Sequence, residues 1–179
     1  MFQQLKVLLL KIIDNPYQDI LGTCLYLFTD EEVLGYVLFK DEISKNSIEA
    51  INEWKKLGIE VAVLTGDTKE SALNILSGIP IDKIYASLLP HEKEEIVSSY
   101  QKEGKKVMMI GDGINDSIAL SKSDIGVAIA SGTDIATNSS DLVLARHNLM
   151  DAYNAFLLGK KTFKIIKQNL FWAFCYNVI

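Results

Sequence analysis

The sequence predicts an α/β fold built on a doubly wound, mainly parallel sheet, preceded by a β-hairpin and followed by a long C-terminal helix. Three observations carry this. Short apolar runs (IEVAVL, VMMI, IGVAIA, DLVLA) alternate with stretches whose apolar residues recur at helical spacing. Glycines and one proline sit where helices of that length should start or stop. With 179 residues the chain can bury one core, and right-handed crossovers between parallel strands place helices on both faces of the sheet.

Residues 1–22 are the least legible. The run at 7–13 reads equally as a strand or a short helix, ended by Asn15 and Pro16. TCLYLFT and VLGYVLF flank Asp30, Glu31 and Glu32, and read as a hairpin with an acidic turn. From Asp41 a helix is expected, capped by Ser44 or Ser47, carrying Ile48, Ile51 and Leu57 and closed by Gly58. Strand IEVAVL then runs into Thr65, Gly66 and Asp67, and helix KESALNIL stops at Gly78 and Pro80. A short strand at 84–86 leads to a helix that Pro90 starts and Gly104 closes. After VMMI come a helix near 115–121, strand IGVAIA, a turn or short helix from Gly132, strand DLVLA and a long helix from Leu149. The expected divisions are 1–40, 41–160 and 161–179.

Net charge is −5, with no long basic run, which argues against nucleic acid as a partner. Cys24 and Cys175 lie far apart without a CxxC spacing, so neither a disulfide framework nor a zinc site is expected, in keeping with a reducing compartment. The N-terminus lacks the small-residue cleavage site of a signal peptide.

The stretch VMMIGDGIND organises the rest. Its strand is expected to be covered on both faces, and its glycines let the backbone turn sharply beside a ligand. Asp112 and Asp116 can face one point, and two hard carboxylates beside a glycine turn suit Mg2+ with a phosphate. The competing reading makes these acids caps for the following helix. In a doubly wound sheet ligands lie beyond the carboxyl ends of the strands, which is where Thr65, Asp67, Asp112 and Asp116 fall, with Lys93 on the helix between. A phosphoryl group in transfer needs a hydroxyl donor, a fixed cation and a metal, and Thr65, Lys93 and the two aspartates supply these types. Singly, Thr65 could be a helix cap, Asp67 a turn residue and Lys93 a solvated lysine.

TGD at 65–67, LPHEK ending at Lys93, GDGIND at 111–116 and GTDIA at 132–136 together resemble the haloacid dehalogenase-like phosphorylation domain of a P-type ATPase. QNLFWAFCYN at 168–177 is similar to the start of the membrane helix that follows this domain in the heavy-metal branch, particularly the copper exporters. The resemblance implies that Thr65, Gly66 and Lys93 take the phosphoryl end of ATP, that Asp112 coordinates Mg2+, and that Asp116 and Asn115 complete and orient the site. Asp67 would assist. It also implies that residues 1–40 are the last part of a nucleotide-binding domain and that Asp41 marks the hinge. A membrane contact is implied for 161–179, with most of the chain on the cytoplasmic side, and Tyr176 and Asn177 are implied as ligands of a transported Cu(I). One local departure is Ile118, where many members carry proline.

The large departure is that D-K-T-G-T, the family's phosphate acceptor, occurs nowhere in these residues. Asp14 ends an apolar run but lacks the flanking residues of that motif. The expectation is therefore a portion of an ATP-driven Cu(I) export pump that is inactive alone. The alternatives are a stand-alone phosphatase of the same superfamily and a non-catalytic regulatory module.

Overall fold

The computed structural model describes residues 23–28, 33–39, 42–112, 115–129 and 138–178. The run at 7–13, Asp14, the acidic turn at 30–32, Asp41 and GTDIA lie outside the described residues. The chain divides into two units, Met1–Glu42 and Ile43–Ile179.

In the first unit β1 (Thr23–Phe28) and β2 (Val33–Phe39) pair antiparallel, from Thr23 opposite Phe39 to Phe28 opposite Val33, with an irregularity between Leu27 and Phe28. This is the expected hairpin.

The second unit alternates helix and strand: α1 (Lys45–Lys56), β3 (Ala62–Leu64), α2 (Lys69–Ile75), β4 (Lys83–Tyr85), α3 (Pro90–Lys102), β5 (Met108–Gly111), α4 (Ser117–Lys122), β6 (Ile125–Ile129), β7 (Leu142–Leu144) and α5 (Leu149–Val178). Every pairing among these described strands is parallel: β3 with β4, and β5, β6 and β7 in that order. Among the described residues the strands thus form two parallel sheets, where the sequence suggested one.

Local chemistry explains the helix ends. Of the two candidate serines, Ser44 caps α1, its hydroxyl accepting the Ser47 N–H at 3.1 Å. Thr68 caps α2 in the same way at 3.3 Å. Pro90 opens α3, and the Glu92 carboxylate reaches back to the Leu89 N–H at 2.7 Å. Gly58, Gly78 and Gly104 follow the first three helices with φ of 72°, 77° and 81°, a left-handed conformation that costs other L-residues about 1 kcal/mol or more.

Period-two alternation along β5 divides the core. Met108 and Ile110 pack with Ala50 and Trp54 of α1, Val127 of β6 and Ala152 of α5. Met109 turns the other way, to Val97 of α3 and Ala119 and Leu120 of α4. Helices cover both faces of this strand, as a doubly wound sheet requires. Trp54 and Tyr153 meet edge to face, with centroids 6.3 Å apart.

One device recurs at the amino ends of the strands. Asp82, just before β4, accepts the Val61 N–H at 2.7 Å and donates its own N–H to the Val61 carbonyl at 2.9 Å. Asp124, just before β6, makes the same reciprocal pair with Val107, both bonds at 3.0 Å. Asp141, just before β7, makes it with Gly126, both at 2.8 Å. Lys55 also binds Asp82, and Lys106 and Gln101 bind Asp124.

The Lys55 ammonium and the Val61 N–H hold the Asp82 carboxyl below its ordinary range. Lys106, the Val107 N–H and Gln101 hold Asp124 well below it. A carboxyl with a depressed folded-state pKa contributes stability above its unfolded value, about pH 4, and loses it as pH falls through the folded value. Urea midpoints should therefore drop on acidification below that point, and Asp82→Asn with Asp124→Asn should flatten the dependence. An equally steep acid limb in the double variant would remove these groups as its cause.

Candidate functional site

Beyond the carboxyl end of β3 the chain turns tightly. The Thr65 hydroxyl donates to Asp67 Oδ2 at 2.8 Å and accepts the Asp67 N–H at 3.1 Å, so both side chains are held within one turn. The loop after β4 clasps this turn. Ser87 N–H donates to the Asp67 carbonyl at 2.7 Å, Leu88 N–H donates to the Thr65 carbonyl at 3.0 Å, and Thr65 N–H donates to the Tyr85 carbonyl at 2.9 Å. Ser87 has φ 58°, the positive value found at no other non-glycine residue among those described. Strain of this kind persists where surrounding bonds over-determine the backbone. The sequence carried no signal for this role, because serine is not a residue that ordinarily marks a left-handed position.

The same loop feeds α3, whose Lys93 crosses to the end of β5. Its ammonium meets Asp116 Oδ1 at 2.6 Å, and the two side chains are only 12% and 13% exposed. Asp116 begins α4, yet its carboxylate makes no capping bond. Gly111 explains how close it lies: a Cβ there would sit 2.3 Å from Asp116 Oδ2, so only glycine admits the carboxylate. Capping is therefore not what Asp116 does, and Lys93 is not a solvated lysine.

Asp112 is exposed at the end of β5 and accepts the Asn115 N–H on Oδ1 at 3.3 Å, which folds the segment back on itself. That bond is local to the turn that precedes α4. Thr65 and Asp67 are thus joined, as are Lys93 with Asp116 and Asp112 with Asn115. Among the described residues no hydrogen bond links the first of these pairs with the other two. Gly66 is exposed, and a Cβ there would stand 3.4 Å from the Leu88 carbonyl oxygen. Tyr176 is exposed near the end of α5, and the Asn177 side chain lies outside the described set.

Among the described residues no three His, Cys, Asp or Glu side chains gather into a donor set of their own. Mg2+ does not need one: it keeps several waters and binds through one or two carboxylates plus phosphate oxygens. Asp112, with Asp116 already shared with Lys93, fits that mode and does not suit a softer metal held by protein ligands alone. No helix among the described residues is long and apolar enough to cross a membrane.

Comparison with known proteins bears on the fold. The haloacid dehalogenase-like hydrolase profile matches residues 3–124. An Enterococcus hirae protein named "Probable copper-importing P-type ATPase A" is 43% identical over 159 residues, which is 88% of this chain and 22% of that protein. A "Copper-exporting P-type ATPase" of Staphylococcus aureus (strain JH9) is 40% identical over 156 residues, 87% of this chain and 20% of its own length. The crystal structure of a zinc-transporting PIB-type ATPase in an E2.Pi state superposes with a TM-score of 0.70 at 31% identity, over 83% of this chain and 24% of that one. The chain thus spans about a fifth of the length of the curated relatives it matches. The fold expected from the strand and helix pattern is the fold found, and a profile match over most of the residues means that this chain belongs to the haloacid dehalogenase-like hydrolase family.

Proposed function

We propose that this chain is the Mg2+- and phosphoryl-handling part of an ATP-driven Cu(I) export pump, with the acceptor aspartate supplied by another part of the same pump. The observation that carries the reading is the Lys93–Asp116 pair, largely buried at the end of β5 beside Asp112. A cation fixed in a partly dry site by its own counter-ion is already oriented when negative charge develops on a phosphoryl group, and so has little to reorganise. Thr65 would turn to a phosphate oxygen the hydroxyl hydrogen it now gives Asp67 Oδ2, and Gly66, exposed in the same turn, would let that oxygen approach the backbone. Mg2+ at Asp112 would neutralise phosphate charge and set its orientation. Asn115 orients Asp112 through its N–H.

The copper assignment rests on Tyr176 and Asn177 near the end of α5 and on the copper pumps among the relatives. Those relatives are named for import in one case and export in the other, so transport direction is decided by assay in the intact pump. There, changing Tyr176 and Asn177 to alanine and leucine should lower Cu(I) stoichiometry. Unchanged copper binding would remove the metal assignment and leave the phosphoryl reading standing.

Incubating the chain with labelled ATP and Mg2+, followed by acid quench, should leave no stable label, because a stabilising site cannot replace an absent nucleophile. Mg2+ titration followed by NMR should show weak binding with shifts centred on Gly111, Asp112, Asp116 and Thr65. Label that disappears in Asp14→Asn would favour the stand-alone phosphatase, and shifts centred elsewhere would overturn the site.

A further inference from the structure

Helix α5 changes character along its length. Ala152 is buried, and Leu149, Met150 and Tyr153 pack on the core, but Leu158 is already 66% exposed. Beyond it Phe163, Ile166, Leu170, Phe171, Trp172 and Phe174 are all exposed. The helix runs 30 residues, about 45 Å at 1.5 Å per residue, so its second half extends well past its packed turns.

Charge changes at the same place. Asp151 is the last acid, and residues 152–179 carry Lys160, Lys161, Lys164 and Lys167 with no aspartate or glutamate, in a chain whose net charge is −5. At 3.6 residues per turn these four lysines fall within an arc of about 120°. Thr162, Ile165 and Ile166 occupy the rest of those turns, and the Lys167 ammonium sits 4.7 Å above the Phe163 ring. After Lys167 the charges stop, and beyond Gln168 and Asn169 the residues from Leu170 to Tyr176 surround the helix with apolar surface.

A protein groove covers one face of a helix and would leave the all-round apolar turns wet. Nucleic acid would satisfy the lysines but not Leu170, Phe171 and Phe174. A lipid leaflet fits both parts, since acyl chains surround the apolar turns while lysine stems lie along them and hold their ammonium groups at phosphate level.

We propose that Lys160, Lys161, Lys164 and Lys167 form a one-sided collar that binds the headgroups of an anionic leaflet. The inference rests on the pump reading above, whose resemblance implies a membrane contact for 161–179, and is independent of the phosphoryl site. It concerns which lipid the helix meets.

The chain carries its own reporter. Of its two tryptophans, Trp54 is 7% exposed in the core and Trp172 is 68% exposed, so a lipid-induced blue shift reports Trp172. The full chain is titrated with phosphatidylcholine vesicles, with and without phosphatidylglycerol. Partitioning should strengthen with the anionic lipid and weaken with added salt, and each Lys→Gln change should reduce it on the order of five-fold. The fourfold Gln variant should lose the preference for phosphatidylglycerol while keeping a weaker shift on both vesicles. Salt dependence of the unaltered chain gives the same answer should that variant fold poorly. Equal, salt-independent partitioning into both vesicles overturns the collar and leaves membrane contact intact. No shift with either vesicle overturns both, while the Mg2+ titration at Asp112 still tests the phosphoryl site separately. Displacement from phosphatidylglycerol vesicles by an equal charge of double-stranded DNA would also overturn the collar.

Discussion

Replacing Lys93 with methionine should destabilise the second unit by about 3 kcal/mol, because it leaves the Asp116 carboxylate with little solvent and no counter-ion. Asp116→Leu should cost a similar amount by stranding the ammonium. The double variant should recover much of the loss, since an apolar pair of similar volume often replaces a buried ion pair at little cost. Urea denaturation of the four proteins gives the coupling directly, and a value of about 2 kcal/mol is expected for groups in direct contact. Additive losses would mean that the 2.6 Å contact does not persist in solution. On the proposed pump reading, Lys93→Met in the intact protein should in addition slow phosphoryl transfer by about two to three orders of magnitude, the effect of removing one preorganised donor from a transition state.

Gly126→Ala should cost about 2–3 kcal/mol by overpacking. An added Cβ would stand 2.7 Å from the Leu120 carbonyl oxygen and 3.1 Å from its carbon, both backbone atoms. Neither side can readily give way. Strand β6 is paired on both edges, Leu120 is 1% exposed, and the Gly126 N–H is already held by Asp141. Gly35→Ala, where a Cβ meets nothing within 4 Å, is the control for generic loss of a glycine. Thermal denaturation should place the Gly126 variant several degrees below the Gly35 variant. Equal midpoints would show that α4 can move away from β6.

Local punctuation was legible. Gly58, Gly78, Gly104 and Pro90 stand at helix ends because each solves a backbone problem contained within a few residues. Strand extent was less so. IEVAVL reads as six strand residues, but Ile59 N–H bonds back to Trp54 at the end of α1 and Val61 is occupied by Asp82, so the ladder with β4 begins only at Ala62. The helix expected near 115 starts at Ser117, after Asn115 has bonded back to Asp112. In the site, residue types and strand-end positions were readable, since topology alone brings them to one end of the strands. The division of labour was not. That Asp116 pairs with Lys93, 23 residues away in sequence, is decided by where α3 packs, and Ser87 acquires its strained conformation from three backbone bonds that no local pattern encodes.

The aspartates before β4, β6 and β7 make the two margins of these sheets unequal. Each holds the neighbouring strand by two bonds at the amino margin, through Val61, Val107 and Gly126. Thr65, Asp67, Asp112 and Asp116 belong to the opposite margin and take part in none of those bonds. Strand register therefore has a source that owes nothing to the loops at the carboxyl margin. A lineage with this arrangement is free to rewrite what its strands carry at one end without renegotiating how they align at the other, so a single scaffold can diverge in chemistry while inheriting its geometry unchanged.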